Sequence, residues 1–262
     1  MAEPVITVKN LNKTFTVKEG GGYSIRESIY GMFSRKNKWR EIKALDNINF
    51  EVTRGEIFGI IGRNGSGKST LLNCIMKSIQ ADAGSIIKTK GKMLRLALGM
   101  GFDPNLSARD NIYVNGTILG LTFKRIGLIF DDIIGFAELE NFVDIPVKTF
   151  STGMMAKLKF SIAIYAQADI FLMDEFFGGV GDESFKKKSE EVFRNTFLDG
   201  RTIILVSHSL TQLEKTCGRA MILNGGKQLT IDPAETAVAK YKQFLAKSQM
   251  RRKSASAQKS VT

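Results

Sequence analysis

Runs of apolar residues alternate with amphipathic stretches along most of the chain, which predicts strands and helices in turn. The run at 57–61 is continuously apolar, as is typical of a strand buried on both faces of a parallel sheet. Further apolar strands are predicted at 170–173, 202–207 and 220–223, and helical periodicity dominates from about 99 to 165. Strands that alternate with helices indicate a mostly parallel α/β sheet.

Two apolar stretches near the beginning of the chain, at 5–8 and 44–52, predict edge strands separated by an insertion at 18–43. An Asn-Gly-Gly triplet at 224–226 predicts a hairpin turn after the last parallel strand. The sequence contains no internal repeat. It therefore predicts a single unit over 1–239, followed by a basic tail at 240–262.

A glycine-rich loop joins the strand at 57–61 to a predicted helix on which apolar residues recur at helical spacing. This is the pattern of a phosphate-binding loop, in which glycines let several backbone N–H groups converge on phosphate oxygens. The lysine reaches the β- and γ-phosphates, and the serine after it can ligate Mg²⁺. The alternative, a chance glycine-rich turn, does not explain the full spacing and both flanking elements. The predicted residues are Gly62, Arg63, Asn64, Gly65, Ser66, Gly67, Lys68, Ser69 and Thr70, with Lys68 also catalytic and Ser69 a metal ligand.

The predicted strand at 170–173 ends in two acidic residues, Asp174 and Glu175. At the rim of the sheet Asp174 can hold Mg²⁺, and Glu175 can orient or deprotonate a water that attacks the γ-phosphate. His208, the only histidine in the chain, follows the strand at 202–207, where a sensor of the γ-phosphate is expected. The alternatives are structural: two acids that cap a strand, and a histidine that stabilises a strand end.

The motif Phe-Ser-Thr-Gly-Met at 150–154 precedes a predicted helix at 155–167 and then the acidic strand, and this order resembles the ABC ATPase family. The resemblance covers about 5–232 and implies an α/β ABC ATPase cassette with a RecA-like parallel-sheet core, an antiparallel β subdomain and a helical subdomain at about 99–165. It also implies an ATPase that uses ATP and Mg²⁺ as a homodimer, in which the signature of one cassette closes over the ATP of the other. By resemblance, the further site residues are Ser151, Thr152 and Gly153 on ATP, Asp182 in the dimer-contacting loop, His208 as the switch histidine and Phe15 on adenine.

The residue that stacks on adenine has two candidates. Phe15 matches the aromatic position of the family, but the insertion could instead bring Trp39 to the same place. Phe15 could also be a core residue, since an aromatic ring contributes a large area to a hydrophobic core. The sequence leaves these alternatives open.

The glutamine that the common ABC pattern carries between the two halves of the site is absent, and 98–107 reads Leu-Gly-Met-Gly-Phe-Asp-Pro-Asn-Leu-Ser. This segment, the signature and the insertion after Phe15 resemble the ATP-binding subunits that export O-antigen, capsule or teichoic acid. That resemblance implies a polytopic membrane permease in two copies as the partner, with lipid-linked polysaccharide handled indirectly. It also implies a peripheral location on the cytoplasmic face of the bacterial inner membrane. Two positions depart from the pattern: 176–182 is one residue longer than usual, and 109–111 varies a commoner Arg-Glu-Asn.

The net charge of +12 is unevenly distributed, because a net charge of +11 is contributed by 18–43 and 240–262. The nearly neutral remainder lacks a basic groove, so we expect no nucleic-acid partner. The insertion combines an amphipathic stretch with a basic cluster around Trp39, which suits a membrane surface or a pyrophosphate headgroup, unless it packs on its own domain. The Ser/Ala/Lys-rich end of the chain is typical of a solvated, disordered tail.

No apolar run reaches the length of a membrane span, and the first residues lack the pattern of a signal peptide, so a cytosolic protein is expected. The function that the sequence predicts is an ATPase subunit of a polysaccharide exporter. Two alternatives remain: an ABC subunit for another exported substrate, and a soluble ABC ATPase that acts on ribosomes or DNA.

Overall fold

The computed structural model describes residues 3–18, 39–96, 101–174, 182–197, 200–207 and 209–259. The described strands are β1 (Pro4–Lys18), β2 (Trp39–Thr53), β3 (Ile57–Ile61), β4 (Ile86–Thr89), β5 (Met93–Leu96), β6 (Ile170–Asp174), β7 (Thr202–Val206), β8 (Arg219–Asn224) and β9 (Lys227–Pro233). The described α-helices are α1 (Lys68–Ile75), α2 (Ala108–Ile118), α3 (Phe123–Leu128), α4 (Phe130–Ala137), α5 (Thr152–Ala163), α6 (Glu183–Phe197), α7 (Leu210–Thr216) and α8 (Ala234–Lys259). Two short 3₁₀ helices, Glu140–Phe142 and Val147–Thr149, lie between α4 and α5.

All nine described strands form one sheet in the order β4-β1-β2-β9-β8-β3-β7-β6-β5. Its parallel part runs from β8 through β3, β7 and β6 to β5, whereas β1 pairs antiparallel with β2 and β4. The hairpin of β8 and β9 joins the two parts, because β9 also bridges β2 at Asp46 and Lys227. The predicted α/β class, with a parallel core and an antiparallel β part, is confirmed.

Strand β3 lies inside the parallel part, between β8 and β7, and is covered on both faces. Phe58 and Ile60 pack with Leu71 and Leu72 of α1, whereas Ile61 belongs to the apolar cluster on the other face of the sheet. Alternate residues of a strand point to opposite faces, so a strand covered on both sides must be apolar throughout. This explains why the run at 57–61 has no polar residue.

The antiparallel strands are longer than the sequence predicted. β1 and β2 each contain 15 residues, so Phe15 lies in β1, and Trp39 and Arg40 lie in β2 and not in the predicted insertion. The register between the two strands shifts several times between Val8 and Thr14, and Asn10 has a φ of 50°. These irregularities break the alternation of apolar and polar residues that marks a strand. Residues 19–38 of the predicted insertion, with its amphipathic stretch and most of its basic cluster, lie outside the described residues.

Three helix boundaries differ from those predicted. Helix α1 ends at Ile75 although apolar spacing continues to 79, because Lys77 adopts a φ of 58° and the N–H of Ile79 bonds back to Asn73 O. Helix α5 is Thr152–Ala163, whereas 155–167 was predicted. It begins earlier because Ser151 caps its first turn. Helix α8 runs through residue 240, where the sequence predicted a tail.

The first turns of α8 pack on the core, so the expectation of a disordered tail from 240 is wrong for the described residues 240–259. Ala237, Val238 and Tyr241 are buried, and the ring of Tyr241 stacks on Phe244 with a centroid distance of 6.4 Å. The expectation that Tyr241 and Phe244 anchor a last helix is confirmed. None of the helices in the described ranges combines the length and the apolar character that crossing a lipid bilayer requires.

Candidate functional site

The glycine-rich loop leaves the carboxyl end of β3 and enters α1 at Lys68. Close contacts exclude a side chain at two of its glycines. A side chain at Gly62 would overlap the carbonyl oxygen of Leu223, and one at Gly67 would place a Cβ 2.7 Å from Ala44 O, with φ at 105°. The turn between β8 and β9 supports the loop, since the N–H of Gly226 donates to Ser66 O at 2.9 Å. The loop is thus a narrow backbone cradle at the N-terminus of a helix, which suits an anion.

Lys68 is buried, and its ammonium lies inside this cradle. Its Nζ donates to the carbonyl oxygens of Gly62 at 2.8 Å and Arg63 at 3.0 Å. Ser66 is buried as well, and within the described structure its Oγ has no hydrogen-bond partner. Ser69, in contrast, is exposed at the mouth of the loop, where its hydroxyl is accessible to an ion. A buried ammonium and a buried, unsatisfied hydroxyl are groups that a bound oxyanion would satisfy.

The acidic strand brings its carboxyl end to the same edge of the sheet. In the register, Asp174 of β6 lies opposite Val206 of β7, and Ile60 of β3 lies opposite the same Val206. The ends of three adjacent parallel strands therefore meet beside the loop. The backbone of Asp174 is placed at this edge, whereas Glu175 and His208 lie outside the described residues. The strand ends that carry them are at the edge that the sequence predicted.

The signature residues Ser151, Thr152 and Gly153 lie in another part of the chain. Ser151 is the N-cap of α5 and accepts from the N–H of Met154 at 3.2 Å. Ser151 and Thr152 are exposed, and α5 packs chiefly on α4 and α2. The turn at 151–153 therefore presents the N-terminus of a 12-residue helix to its surroundings. Such a terminus suits a negatively charged group.

Asp182 immediately precedes α6 and is held by its own chain. One carboxylate oxygen accepts from the N–H of Phe185 at 2.9 Å, and the other lies 3.0 Å from Nζ of Lys157 on α5. The backbone hydrogen bond, followed by the Lys157 ammonium, holds the pKa of Asp182 below its usual range. No local sequence pattern indicates this contact, because residues 157 and 182 become neighbours only through helix packing.

The two aromatic candidates for the adenine position lie at different distances from the loop. Phe15 of β1 is half-buried and pairs with Ile42, two residues from the Ala44 carbonyl that abuts Gly67. Trp39 is five residues from Ala44, or about 16 Å along an extended strand. The side chain of Trp39 is 63% exposed. The described hydrophobic clusters do not include Phe15, and Lys13 Nζ lies 5.1 Å from its ring centroid.

The segment that replaces the expected glutamine is organised by one buried amide. Asn111 is fully buried, and its Nδ2 lies within 3.2 Å of the carbonyl oxygens of Asp103, Leu106 and Ser107, while its Oδ1 accepts from the N–H of Asp103. The ring of Phe102 lies 5.3 Å from Nζ of Lys159 on α5. Residues 101–107 are therefore a fixed loop that contacts the signature helix. Residues 98–100 lie outside the described structure.

A cavity of about 510 Å³ beside the glycine-rich loop includes residues that the sequence did not predict. Helix α8 contributes to its wall. Tyr241 and Leu245 follow Val238 by three and seven residues, and this helical spacing is the signal that could have revealed a packed face. The lining residues are Ile61, Gly62, Arg63, Asn64, Ser207, Leu210, Tyr241 and Leu245.

We expect Gly67→Ala to lower the free energy of unfolding by about 2 to 4 kcal/mol, because it adds a backbone clash to the cost of a left-handed conformation. Gly65→Ala is the matched control, since Gly65 also has a positive φ, 76°, but a Cβ there would meet no atom within 4 Å. Its expected cost is about 1 to 2 kcal/mol. Denaturant unfolding of both variants checks the difference. Equal losses would mean that the Ala44 contact does not constrain the loop.

Comparison with known proteins agrees with this geometry. A family model described as ABC transporter matches residues 45–178. The O-antigen export system ATP-binding protein RfbB of Klebsiella pneumoniae is 37% identical over 247 residues, which cover 93% of this chain and 100% of that protein. The ABC transporter protein AbcA of Aeromonas salmonicida is 36% identical over 94% of this chain and 78% of its own. The teichoic acids export ATP-binding protein TagH of Lactococcus lactis is 40% identical over 84% of this chain and 46% of its own.

Solved structures share the fold. A dimeric post-hydrolysis state of the ATP-binding cassette MJ0796, bound to ADP and Pi, has a TM-score of 0.65 at 20% identity, covering 87% of this chain and 98% of its own. An ATP-binding subunit of an ABC transporter has a TM-score of 0.67 at 20% identity, covering 91% and 93%. The family resemblance predicted from the phosphate-binding loop, the acidic strand and the signature is confirmed. The chain belongs to the ABC transporter family and is an ATP-binding cassette of the type that hydrolyses ATP.

Proposed function

We propose that this chain is the ATP-hydrolysing subunit that powers export of a lipid-linked surface polysaccharide across the bacterial inner membrane through a partner permease. The observation that carries the proposal is the 37% identity to an O-antigen export ATP-binding protein over the whole length of that relative. The loop at 101–107, fixed by buried Asn111 in place of the usual glutamine segment, supports the same assignment. The chain would lie peripherally on the cytoplasmic face of the membrane.

In this proposal the triphosphate binds in the cradle of residues 62–70. Lys68 exchanges its two carbonyl acceptors for anionic phosphate oxygens, which are stronger acceptors for an ammonium. The N–H groups of the loop and of the first turn of α1 donate to the remaining oxygens. Phe15 stacks on adenine, and its proximity to the Ala44 contact supports it over Trp39.

Ser69 and Asp174 would hold Mg²⁺, since a hydroxyl and a carboxylate are oxygen ligands of the kind this ion prefers. The exposed position of Ser69 at the mouth of the loop and the placement of Asp174 at the same sheet edge fit that ion. Mg²⁺ supplies neutralisation of charge on the phosphate oxygens. Glu175 orients the attacking water or takes its proton, and His208 contacts the γ-phosphate from the end of the neighbouring strand.

The cassette would work as a homodimer beneath two copies of the permease. Two ATP molecules would lie between residues 62–70 of one subunit and Ser151, Thr152 and Gly153 of the other. Within one chain, residues 62–70 and the turn at 151–153 lie in different parts of the structure. In the dimer the ATP of the other subunit would supply an anionic group to the exposed turn at 151–153, and this supports the arrangement. Binding of ATP favours the closed dimer, and hydrolysis allows it to reopen. Residues 99–105 would transmit these states to the permease, since Phe102 contacts the signature helix.

Affinity purification of the tagged chain from detergent-solubilised native membranes, with mass spectrometry of the copurifying material, tests the proposal. The expected result is a polytopic membrane protein, recovered with glycolipid. A membrane protein that carries a non-glycan cargo would support an ABC subunit for another exported substrate. Recovery of ribosomal RNA or DNA without a membrane protein would overturn the export function. Because the proposal includes no nucleic-acid partner, the same purification after nuclease treatment is the control.

A further inference from the structure

Lys157 of α5 lies where three helices meet, and its ammonium contacts acidic residues on the two neighbouring elements. Its Nζ is 2.5 Å from Oε2 of Glu138, the C-cap of α4, and 3.0 Å from Oδ2 of Asp182, the residue before α6. It also lies 5.2 Å from the ring centroid of Phe185. The side chain of Lys157 is only 15% exposed, although both acids are more than half exposed. The lysine thus contacts both acids at once.

Aromatic packing beneath Lys157 holds the same three helices together. Phe136 of α4, Phe160 of α5 and Phe185 of α6 form a trio with centroid distances of 5.4 to 6.1 Å. Phe160 and Phe185 are fully buried. Two of the three contacts are edge-to-face, which is a favourable arrangement of aromatic rings. A charged network on a packed aromatic base is a fixed junction and not a loose surface contact.

The charges of the network reinforce one another at neutral pH. The hydrogen bond with Glu138 raises the pKa of the Lys157 ammonium despite its partial burial, and Asp182 raises it further. The N–H of Phe185 and the Lys157 ammonium lower the pKa of Asp182. Lys157 and Asp182 are therefore both ionised at neutral pH, and the contact between α5 and the start of α6 is charge-assisted.

The junction connects two segments that the proposed dimer would bring against the second subunit. Ser151, the N-cap of α5, lies six residues before Lys157, or about 9 Å along the helix axis. Asp182 lies directly before α6, after the segment that follows the acidic strand. We propose that Lys157 is a positioning residue that makes the turn at 151–153 and the turn at Asp182 approach the second subunit as one body. This inference rests on the proposed ATP sandwich and identifies what couples its two contact segments.

The network offers variants that separate this role from simple stabilisation. Lys157→Met keeps the aliphatic stem over Phe185 and removes the charge. Asp182→Asn removes the charge on the other side but keeps an oxygen that can accept from the N–H of Phe185 and cap α6. Glu138→Gln is the matched control, because it removes the charge from the closer of the two contacts to the same lysine, at the end of α4, which is not a proposed contact segment. Lys157→Arg keeps the charge and should restore function.

The test measures ATP-dependent dimerisation by sedimentation over a range of ATP concentrations, with each variant placed in a hydrolysis-deficient Glu175→Gln parent. Thermal unfolding without nucleotide reports stability separately. We expect Lys157→Met and Asp182→Asn each to weaken dimerisation about tenfold, with the double variant no weaker than either single one. Glu138→Gln and Lys157→Arg should stay within about threefold of the parent, even if Glu138→Gln lowers the melting temperature as much as Lys157→Met does.

Dimerisation of Lys157→Met at the parental level would overturn the positioning role. A loss of dimerisation in Glu138→Gln equal to that in Lys157→Met would overturn it as well. Additive losses in the double variant would also count against it, because they would mean that Lys157 and Asp182 act independently. A parent that stays monomeric at every ATP concentration would overturn the ATP sandwich itself, and the positioning role with it. The three results with the variants would leave the proposed function intact, whereas a monomeric parent would not.

Discussion

Replacing Lys68 with methionine is expected to reduce the rate of ATP turnover by about 10²- to 10³-fold, the range found when one preorganised donor to a developing charge is lost. The ammonium of Lys68 lies in the cradle, within 3.0 Å of the Gly62 and Arg63 carbonyl oxygens, so it is in place before phosphate arrives. Methionine has a similar length and fits a buried position, but it cannot donate to an anion. Steady-state turnover with saturating ATP measures the loss.

Thermal unfolding with and without ATP shows whether the methionine variant loses nucleotide contacts or the fold. A ligand that binds only the native state raises its stability in proportion to ln(1 + [L]/Kd), so the variant should lose most of this increase while keeping the nucleotide-free transition. Lys77→Met is the matched control, because Lys77 lies just beyond α1 and outside the cradle. If Lys68→Met hydrolysed ATP at the parental rate, the assignment of the cradle as the phosphate site would be wrong.

Glu175→Gln is expected to lower turnover by about 10²- to 10⁴-fold, the range of a lost general base, while ATP binding is retained. Glutamine has almost the same shape as glutamate but cannot take a proton. The closed state should therefore persist, and a dimer of this chain should accumulate with ATP but not with ADP. Light scattering on a gel-filtration column measures the mass of the complex, and single-turnover assays measure hydrolysis.

The control for this prediction is Glu183→Gln, which removes another acid shortly after the same strand. Glu183 lies in the first turn of α6 and is exposed, so we expect parental turnover and no ATP-trapped dimer. A Glu175→Gln protein that remains monomeric with ATP would contradict the sandwich. One that hydrolyses ATP normally would remove Glu175 from the catalytic role.

The sequence predicted the parallel core well because its signals are local. The apolar run at 57–61, the glycine spacing after it and the Asn-Gly-Gly turn each depend on residues within a few positions of one another, and β3, the loop and the β8–β9 turn follow them. The strand ends that carry Asp174 and His208 were predicted for the same reason. Adjacent parallel strands place their carboxyl ends at one edge, so the order of strands alone brings these positions together.

The features that the sequence did not predict depend on contacts between distant residues. The extent of β1 and β2 is set by their pairing across bulges, which weakens the alternating pattern. The composition of 240–262 is that of a solvated tail, but Tyr241 finds a place against the core and the helix continues from there. Lys157 contacts Glu138, 19 residues before it, and Asp182, 25 residues after it, and no local pattern indicates such contacts.

The position of β3 in the sheet also determines when the protein can fold during its synthesis. β3 pairs with β7 and β8, whose first contacts are Ile57 with Ile203 and Phe58 with Arg219, so more than 140 residues must follow before its edges are covered. Because synthesis adds about 5 to 20 residues per second, this apolar strand stays unpaired for roughly 7 to 30 s during translation. During that interval it offers an unpaired edge, which is a site of aggregation and of chaperone binding. Fragments that end before β8 would leave it exposed permanently.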